Sequence, residues 1–102
     1  MPRRSGRKGK SPVHVGVALA SLTRSLGIDR RLSEYQVITA WEAIVGEQIA
    51  KVTRPERIER GVLFVAVSSA PWRAELTMRR GELLESINKK AGRRLVKEIR
   101  FR

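Results

Sequence analysis

The spacing of polar and apolar positions changes several times along the chain. Its longest unbroken apolar stretch, Val62-Leu63-Phe64-Val65-Ala66-Val67, lies between Gly61 and Ser68-Ser69. Such a run, mostly β-branched or aromatic, is too short for a free helix and reads as a central strand with both faces covered. Ser69 then offers a side-chain cap to a helix with Pro71 in its first turn, where a missing N–H costs nothing. From there Trp72, Leu76, Leu83, Leu84 and Ile87 recur at helical spacing as far as Ala91, and Gly92 stops the run. Arg80 falls inside that apolar arc and Gly81 follows it, so the helix is expected to bend or break at Arg79-Arg80-Gly81 and turn both guanidinium groups to water. Finally Leu95, Lys97, Ile99 and Phe101 alternate with Val96, Glu98, Arg100 and Arg102, the pattern of a half-buried strand. A strand, a helix and a strand in succession favour a crossover that sets the last strand parallel to the central one.

Upstream, Ser33-Glu34-Tyr35-Gln36 fits a capping box with Leu32 and Val37 as its hydrophobic staple. This predicts a helix with Ile38, Trp41, Ile44 and Val45 on its apolar face. Gly46 either ends it or lets another element pass close, and residues 47–52 add a turn or two with Ile49 and Ala50 inward. Pro55 excludes a central strand position, while Arg57-Ile58-Glu59-Arg60 alternates and leads through Arg60-Gly61 into the central strand, which makes a hairpin with a short charged edge. Nearer the start, Ser11 and Pro12 supply a cap and a first-turn proline. Val15, Leu19, Leu22 and Leu26 then form one narrow stripe that Gly27 closes. This extra N-terminal helix is expected to pack on its own domain, with docking to a partner as the alternative. His14, near its start, has no ligand-type neighbours and is assigned no chemistry. The expected core is Trp41, Val45, Gly46, Leu63, Val65, Val67, Trp72, Leu76, Leu84 and Ile87. The fold class is α+β, a three-stranded sheet backed by helices, in one domain over residues 11–102.

Composition narrows the function. A chain of 102 residues without cysteine has room for one core, and neither a disulfide framework nor a thiolate metal site. No apolar run approaches the roughly 20 residues that span a bilayer, and no signal-type segment follows the basic start, so a soluble cytoplasmic protein is expected. The balance of 22 Lys plus Arg against 10 Asp plus Glu gives a formal +12, which draws polyanions, nucleic acid foremost. Residues 1–10 hold Arg3, Arg4, Arg7, Lys8 and Lys10 and no acid, the composition of a disordered basic arm. Gly6-Arg7-Lys8-Gly9 spells the Gly-x-x-Gly of a KH clamp but sits in a tail rather than between two helices. A second group of cations, Arg73, Arg79, Arg80, Lys89, Lys90, Arg93 and Arg94, runs along and past the long helix near Trp72. Gathered on one side, they would follow the phosphates of single-stranded nucleic acid. Glu75, Glu82 and Glu85 interrupt them, so a solvated helix face is the alternative. The carboxylates are scattered beside Lys or Arg, and no phosphate loop, His cluster or Ser or Cys near a His is present. No catalytic residue, metal, cofactor or small-molecule substrate is expected.

One ordered set of residues carries a family resemblance: Trp41-x-x-Ile44-Val45-Gly46 with Ala50 and Thr53, then Gly61-x-Leu63-x-Val65-x-Val67-x-Ser69-x-x-Trp72-x-x-x-Leu76, then Glu82-Leu83-Leu84-x-x-Ile87-Asn88. Over about residues 19–101 the chain resembles the DciA family. That resemblance implies a bacterial, non-enzymatic helicase loader or operator that contacts a DnaB-type hexameric helicase and promotes its placement on DNA. It also implies a KH-like fold, and the order read above, helix, strand, strand, broken helix, strand, agrees with the type II KH order. Arg79-Arg80-Gly81-Glu82 stands at the clamp-loop position with one glycine instead of two, so the four-nucleotide KH grip is not carried over. A ten-residue arm stands where family members often have a long extension. The expected partners are single-stranded DNA, held by the arm and the helix cations with Arg79 and Arg80 foremost, and the helicase, met by an apolar patch near the first helix or Trp72. Two readings remain open beside this one: an RNA-binding KH-like module, and a protein-interaction domain whose charge meets an acidic partner.

Overall fold

A computed structural model describes residues 27–102. The basic arm and the first amphipathic helix with His14 lie outside the described residues. The elements in order are α1 (Ile28–Thr39), α2 (Trp41–Val45), α3 (Glu47–Ala50), β1 (Thr53–Glu59), β2 (Val62–Val67), α4 (Ala70–Met78), α5 (Arg80–Ala91) and β3 (Glu98–Phe101). Residues 32–102 form one compact unit, α+β, whose three-stranded sheet runs in the order β1-β2-β3.

β1 and β2 are antiparallel and joined by a two-residue turn, Arg60-Gly61, since Glu59 pairs with Val62. Both turn residues are left-handed, at φ 51 and 81. That is the hairpin turn whose twist matches the strands. Glycine adopts it freely, whereas Arg60 is held there at a cost of about 1–2 kcal/mol. β3 is parallel to β2, as a connection through two helices permits. Residues paired across the sheet share a face, so Ile58, Leu63 and Ile99 point one way and Arg57, Phe64 and Arg100 the other. The register slips between Pro55 and Arg57, which places the proline in a bulged edge strand where its missing N–H is harmless.

The inner face of the sheet carries the core. Leu63, Val65 and Val67 pack there with Ile58, Ile99, Val37, Trp41, Leu76, Leu83, Ile87, Leu95 and Val96. Val45, Trp72 and Leu84 are half-buried against this cluster. The long helix breaks where its polar interruption falls. Ser69 Oγ accepts from the Trp72 N–H at 3.4 Å to start α4, Arg79 (φ −98, ψ 12) separates α4 from α5, and Gly92 in the left-handed region ends α5. Trp41, expected as a core anchor, is buried, and its indole Nε1–H donates to Thr53 Oγ1 at 2.8 Å. The Thr53 hydroxyl donates in turn to the Ile49 carbonyl at 2.8 Å, tying α2, α3 and β1 together.

Several sequence expectations are corrected. The second face of β2 is not closed over: Val62, Phe64 and Ala66 are half-buried, and the Arg57 and Arg100 guanidinium carbons lie 4.0 and 5.8 Å from the centre of the Phe64 ring. Cations with long apolar stems do there what a packed helix would otherwise do. Ser33 is not a cap. α1 already begins at Ile28, the Arg31 N–H donates to the Gly27 carbonyl at 3.1 Å, and Leu32 is 55% exposed rather than stapled. Nothing between Ile28 and Leu32 breaks a helix, and a cap preference of about 1 kcal/mol does not stop one that can extend. Gly46 belongs to a bend, not to the core: it is exposed, its missing Cβ would meet nothing within 4 Å, and its φ 92, ψ 159 is a glycine conformation that ends α2. The last strand begins only at Glu98. Leu95 and Val96 are neighbours and both buried, which no alternating strand allows.

Asn88 is what holds that non-alternating segment. Its Oδ1 accepts from the backbone N–H groups of Leu95 at 3.0 Å and Val96 at 2.9 Å, and its Nδ2 donates to the Val96 carbonyl at 2.9 Å. One side chain on α5 thus satisfies three backbone groups of a segment that has no strand partner. Among the described residues no helix is long and apolar enough to cross a membrane, and no group of three His, Cys, Asp or Glu could hold a metal ion.

Candidate nucleic-acid interface

The cations singled out in the sequence differ in their surroundings. Arg3, Arg4, Arg7, Lys8 and Lys10 lie outside the described residues. Arg73 is a structural clip: its guanidinium donates to the Val67 carbonyl at 2.9 Å at the end of β2, and its Nε is buried with no hydrogen-bond partner among the described residues. Arg79 is exposed and donates to Glu75 one turn back at 2.8 Å. Arg80, exposed at the start of α5, forms no ion pair with a described carboxylate. It is separated from Lys90 by ten residues of helix, about 15 Å at the usual rise. Arg79 and Arg80 thus stand at the start of α5, and Lys89 and Lys90 in its last turn.

The far group is itself divided. Lys90 lines a hollow with Gln36, Val37, Thr39, Ala40 and Ala91. Lys89 and Arg94 lie elsewhere, around a groove of about 440 Å³ that Lys97 also lines. Leu84 and Val96 give this groove an apolar wall, Asn88 fixes its loop side, and Glu85 is its single carboxylate. Lys89, Arg94 and Lys97 make no ion pair with a described residue, whereas every glutamate on the strands is engaged. Arg93 sits in the turn after Gly92, and its backbone N–H donates to the Asn88 carbonyl at 3.3 Å.

Lys97 does not belong to the sequence-derived set, because in the sequence it is only one member of an alternating strand. Its position comes from the fold. The Lys97 N–H donates to the Gly61 carbonyl at 2.7 Å, and a Cβ on Gly61 would lie 3.4 Å from Lys97 Cγ and Cδ, so the lysine stem crosses the hairpin turn beside Arg60. The dipeptide Arg60-Gly61 carries the available signal, since a two-residue turn displays its first side chain at the tip.

The outer sheet face is charged but internally compensated. Arg57 pairs with Glu59 at 3.1 Å, Arg100 with Glu98 at 3.0 Å, and Arg54 and Arg102 both with Glu56. The hydrogen bond from Arg102 holds the Glu56 carboxyl below its ordinary range, with Arg54 adding to the effect and partial desolvation opposing it. The apolar patch expected near Trp72 is shallow: the exposed part of the indole shares a small hollow with Pro71, Glu75 and Arg79.

Residues 14–101 match the family described as Dna[CI] antecedent, DciA. A UPF0232 protein of Mycobacterium tuberculosis is 32% identical over 92 residues, 90% of this chain and 49% of the relative. One from Mycolicibacterium smegmatis is 35% identical over 82 residues, 80% of this chain and 42% of the relative. Another, from Rhodococcus jostii, is 29% identical over 96 residues, 94% of this chain and 51% of the relative. The chain spans about half the length of the curated relatives it matches.

Proposed function

The chain belongs to the DciA family, and from that membership we propose that it is a non-enzymatic accessory of DNA replication that binds single-stranded DNA and a DnaB-type helicase and assists the placement of the helicase on DNA. The observation that carries the reading is the family match over residues 14–101, joined to a formal charge of +12. A KH-like arrangement is part of the proposal. The element order and the break at Arg79, between α4 and α5, suit a type II KH order, with Arg79-Arg80-Gly81-Glu82 at the clamp-loop position. The exposed surface of Trp72 with Pro71 is the proposed place of contact with the helicase.

The role needs no bond-making chemistry. Cations that follow a phosphate backbone concentrate the strand, and a second surface that engages the ring holds both partners together, so the gain is one of effective concentration. The test has two parts: retention of a purified DnaB-type helicase on the immobilised full chain at low salt, and affinity for single-stranded DNA and RNA of equal length over a salt series. Retention together with a steep fall of affinity with salt, and DNA bound at least as tightly as RNA, is the expected result. Failure to retain the helicase removes the adaptor role, and tighter binding to RNA replaces the DNA reading with an RNA-binding one.

A further inference from the structure

We infer that the phosphate backbone of single-stranded DNA runs along the groove between α5 and the loop before β3, in contact with Lys89, Arg94 and Lys97, and continues over the hairpin tip at Arg60. This rests on the proposed DNA binding and assigns its location. It moves the contact from Arg79 and Arg80 to the opposite end of α5.

Three observations converge on this groove. First, its cations are available. Lys89, Arg94, Lys97 and Arg60 form no ion pair with a described carboxylate; at the other end of α5 Arg80 is likewise unpaired, but its neighbour Arg79 is bonded to Glu75, and Arg73 to the Val67 carbonyl. A phosphate reaching Arg79 must displace Glu75, whereas one reaching Lys97 breaks no ion pair among the described residues. Second, the cations are close neighbours. Lys89 from α5, Arg94 from the loop and Lys97 line one groove, and the Lys97 stem lies against Gly61, the residue after Arg60, whose own hollow holds Glu59, Val62 and Phe64. Charges repeated along a path match a phosphodiester chain better than a lone carboxylate. The groove also has a fixed shape, because Asn88, one of its lining residues, binds the backbone of Leu95 and Val96.

Third, Arg60 is poorly suited to its turn. It is the one non-glycine residue with positive φ among the described residues, at 51°. Asparagine holds that conformation more readily, so the turn itself gives no reason for an arginine there. A local mismatch at an exposed tip is expected where the side chain serves something other than folding.

The test is fluorescence anisotropy of a labelled single-stranded oligonucleotide with the full chain, over a salt series, for the parent, the triple variant Lys89→Gln/Arg94→Gln/Lys97→Gln, the double variant Arg79→Gln/Arg80→Gln, and Arg60→Asn. The triple variant is expected to bind at least about tenfold more weakly at low salt, and its log K against log salt slope to flatten by about 2, at roughly 0.7 for each phosphate no longer neutralised. The double variant is expected to weaken clearly less. Arg60→Asn is expected to bind about two- to fivefold more weakly while its melting temperature rises, a combination that no folding defect produces. If the parent binds and the triple variant matches it in affinity and slope, the groove assignment is overturned while DNA binding stands. If the parent itself shows no salt-dependent affinity, the DNA-binding reading fails and the groove assignment falls with it.

Discussion

At the residue scale, two side chains tie separate elements together. Asn88 answers three backbone groups of Leu95 and Val96, and removing it leaves the Val96 N–H without its acceptor, while the Leu95 N–H keeps the Arg93 carbonyl at 2.9 Å. Asn88→Ala is therefore expected to cost about 2–3 kcal/mol in chemical denaturation, more than a typical exposed hydrogen bond, because an unsatisfied donor adds its desolvation to the missing bonds. A loss under about 0.5 kcal/mol would mean that burial of Leu95 and Val96 alone holds the segment. Glu56 makes a pH-dependent contribution. Its carboxyl lies below the ordinary 4.5 because the folded chain sets Arg102 and Arg54 against it. A depressed folded value stabilises the protein fully above the unfolded value, and that stabilisation disappears as pH falls through the folded one. Arg102→Ala is thus expected to melt lower than the parent at pH 7, and the gap should close as pH falls below 4.5 and through the depressed folded value. A gap that stays constant with pH would assign the effect to the arginine stem instead of the ion pair.

At the element scale, the sequence was legible wherever the signal was local. The strand Val62–Val67, the Ser69 cap, the stop at Gly92 and the break at Arg79 each depend on residues within a few positions of one another, and each stands where the pattern placed it. Two signals of the same local kind misled. The box beginning at Ser33 resembled a helix start because nothing in its own residues reveals that the turn from Ile28 is already helical. The alternation over residues 95–102 resembled a longer strand because the bonds that bend Leu95 and Val96 inward come from a side chain seven and eight residues earlier. The candidate site was the least legible part. Lys97 meets Gly61 only through the parallel register that sets β3 beside β2, and no spacing rule encodes it. Two glycines allow the local argument to be tested. Gly46 needs a conformation that Cβ-bearing residues avoid, so Gly46→Ala is expected to destabilise by about 1–3 kcal/mol despite the open space around it. Gly81 is an ordinary helical residue with equal room, and Gly81→Ala is expected to stabilise by about 0.5–1 kcal/mol. Equal effects of the two substitutions in equilibrium unfolding would refute the distinction.

For the whole molecule, the charge that makes a phosphate-binding surface possible works against the fold that displays it. Six cations, Arg3, Arg4, Arg7, Lys8, Lys10 and Arg24, and no acid fall in residues 1–26, so the remaining residues still carry an excess of positive charge. The ion pairs among the described residues are largely solvent-exposed, and three of them share Glu56. Such pairs contribute about 0–1 kcal/mol each, and salt weakens them, but salt also relieves the repulsion among the unpaired cations. The repulsion is expected to dominate, because it acts among all the excess charges whereas each pair stabilises only itself. The melting temperature of the parent should therefore rise by a few degrees between about 0.05 and 0.3 M salt, on a scale where 1 kcal/mol is worth roughly 4–8 °C for a domain of this size. The triple variant Lys89→Gln/Arg94→Gln/Lys97→Gln removes three unpaired charges and keeps most of each stem. It should melt higher than the parent at low salt and converge with it at high salt, gaining stability as the proposed affinity for DNA falls. If the variant melts lower at every salt concentration, the stems and the α5 C-terminal dipole contribute more to stability than the repulsion subtracts, and the groove cations are then part of the fold as well as of the surface.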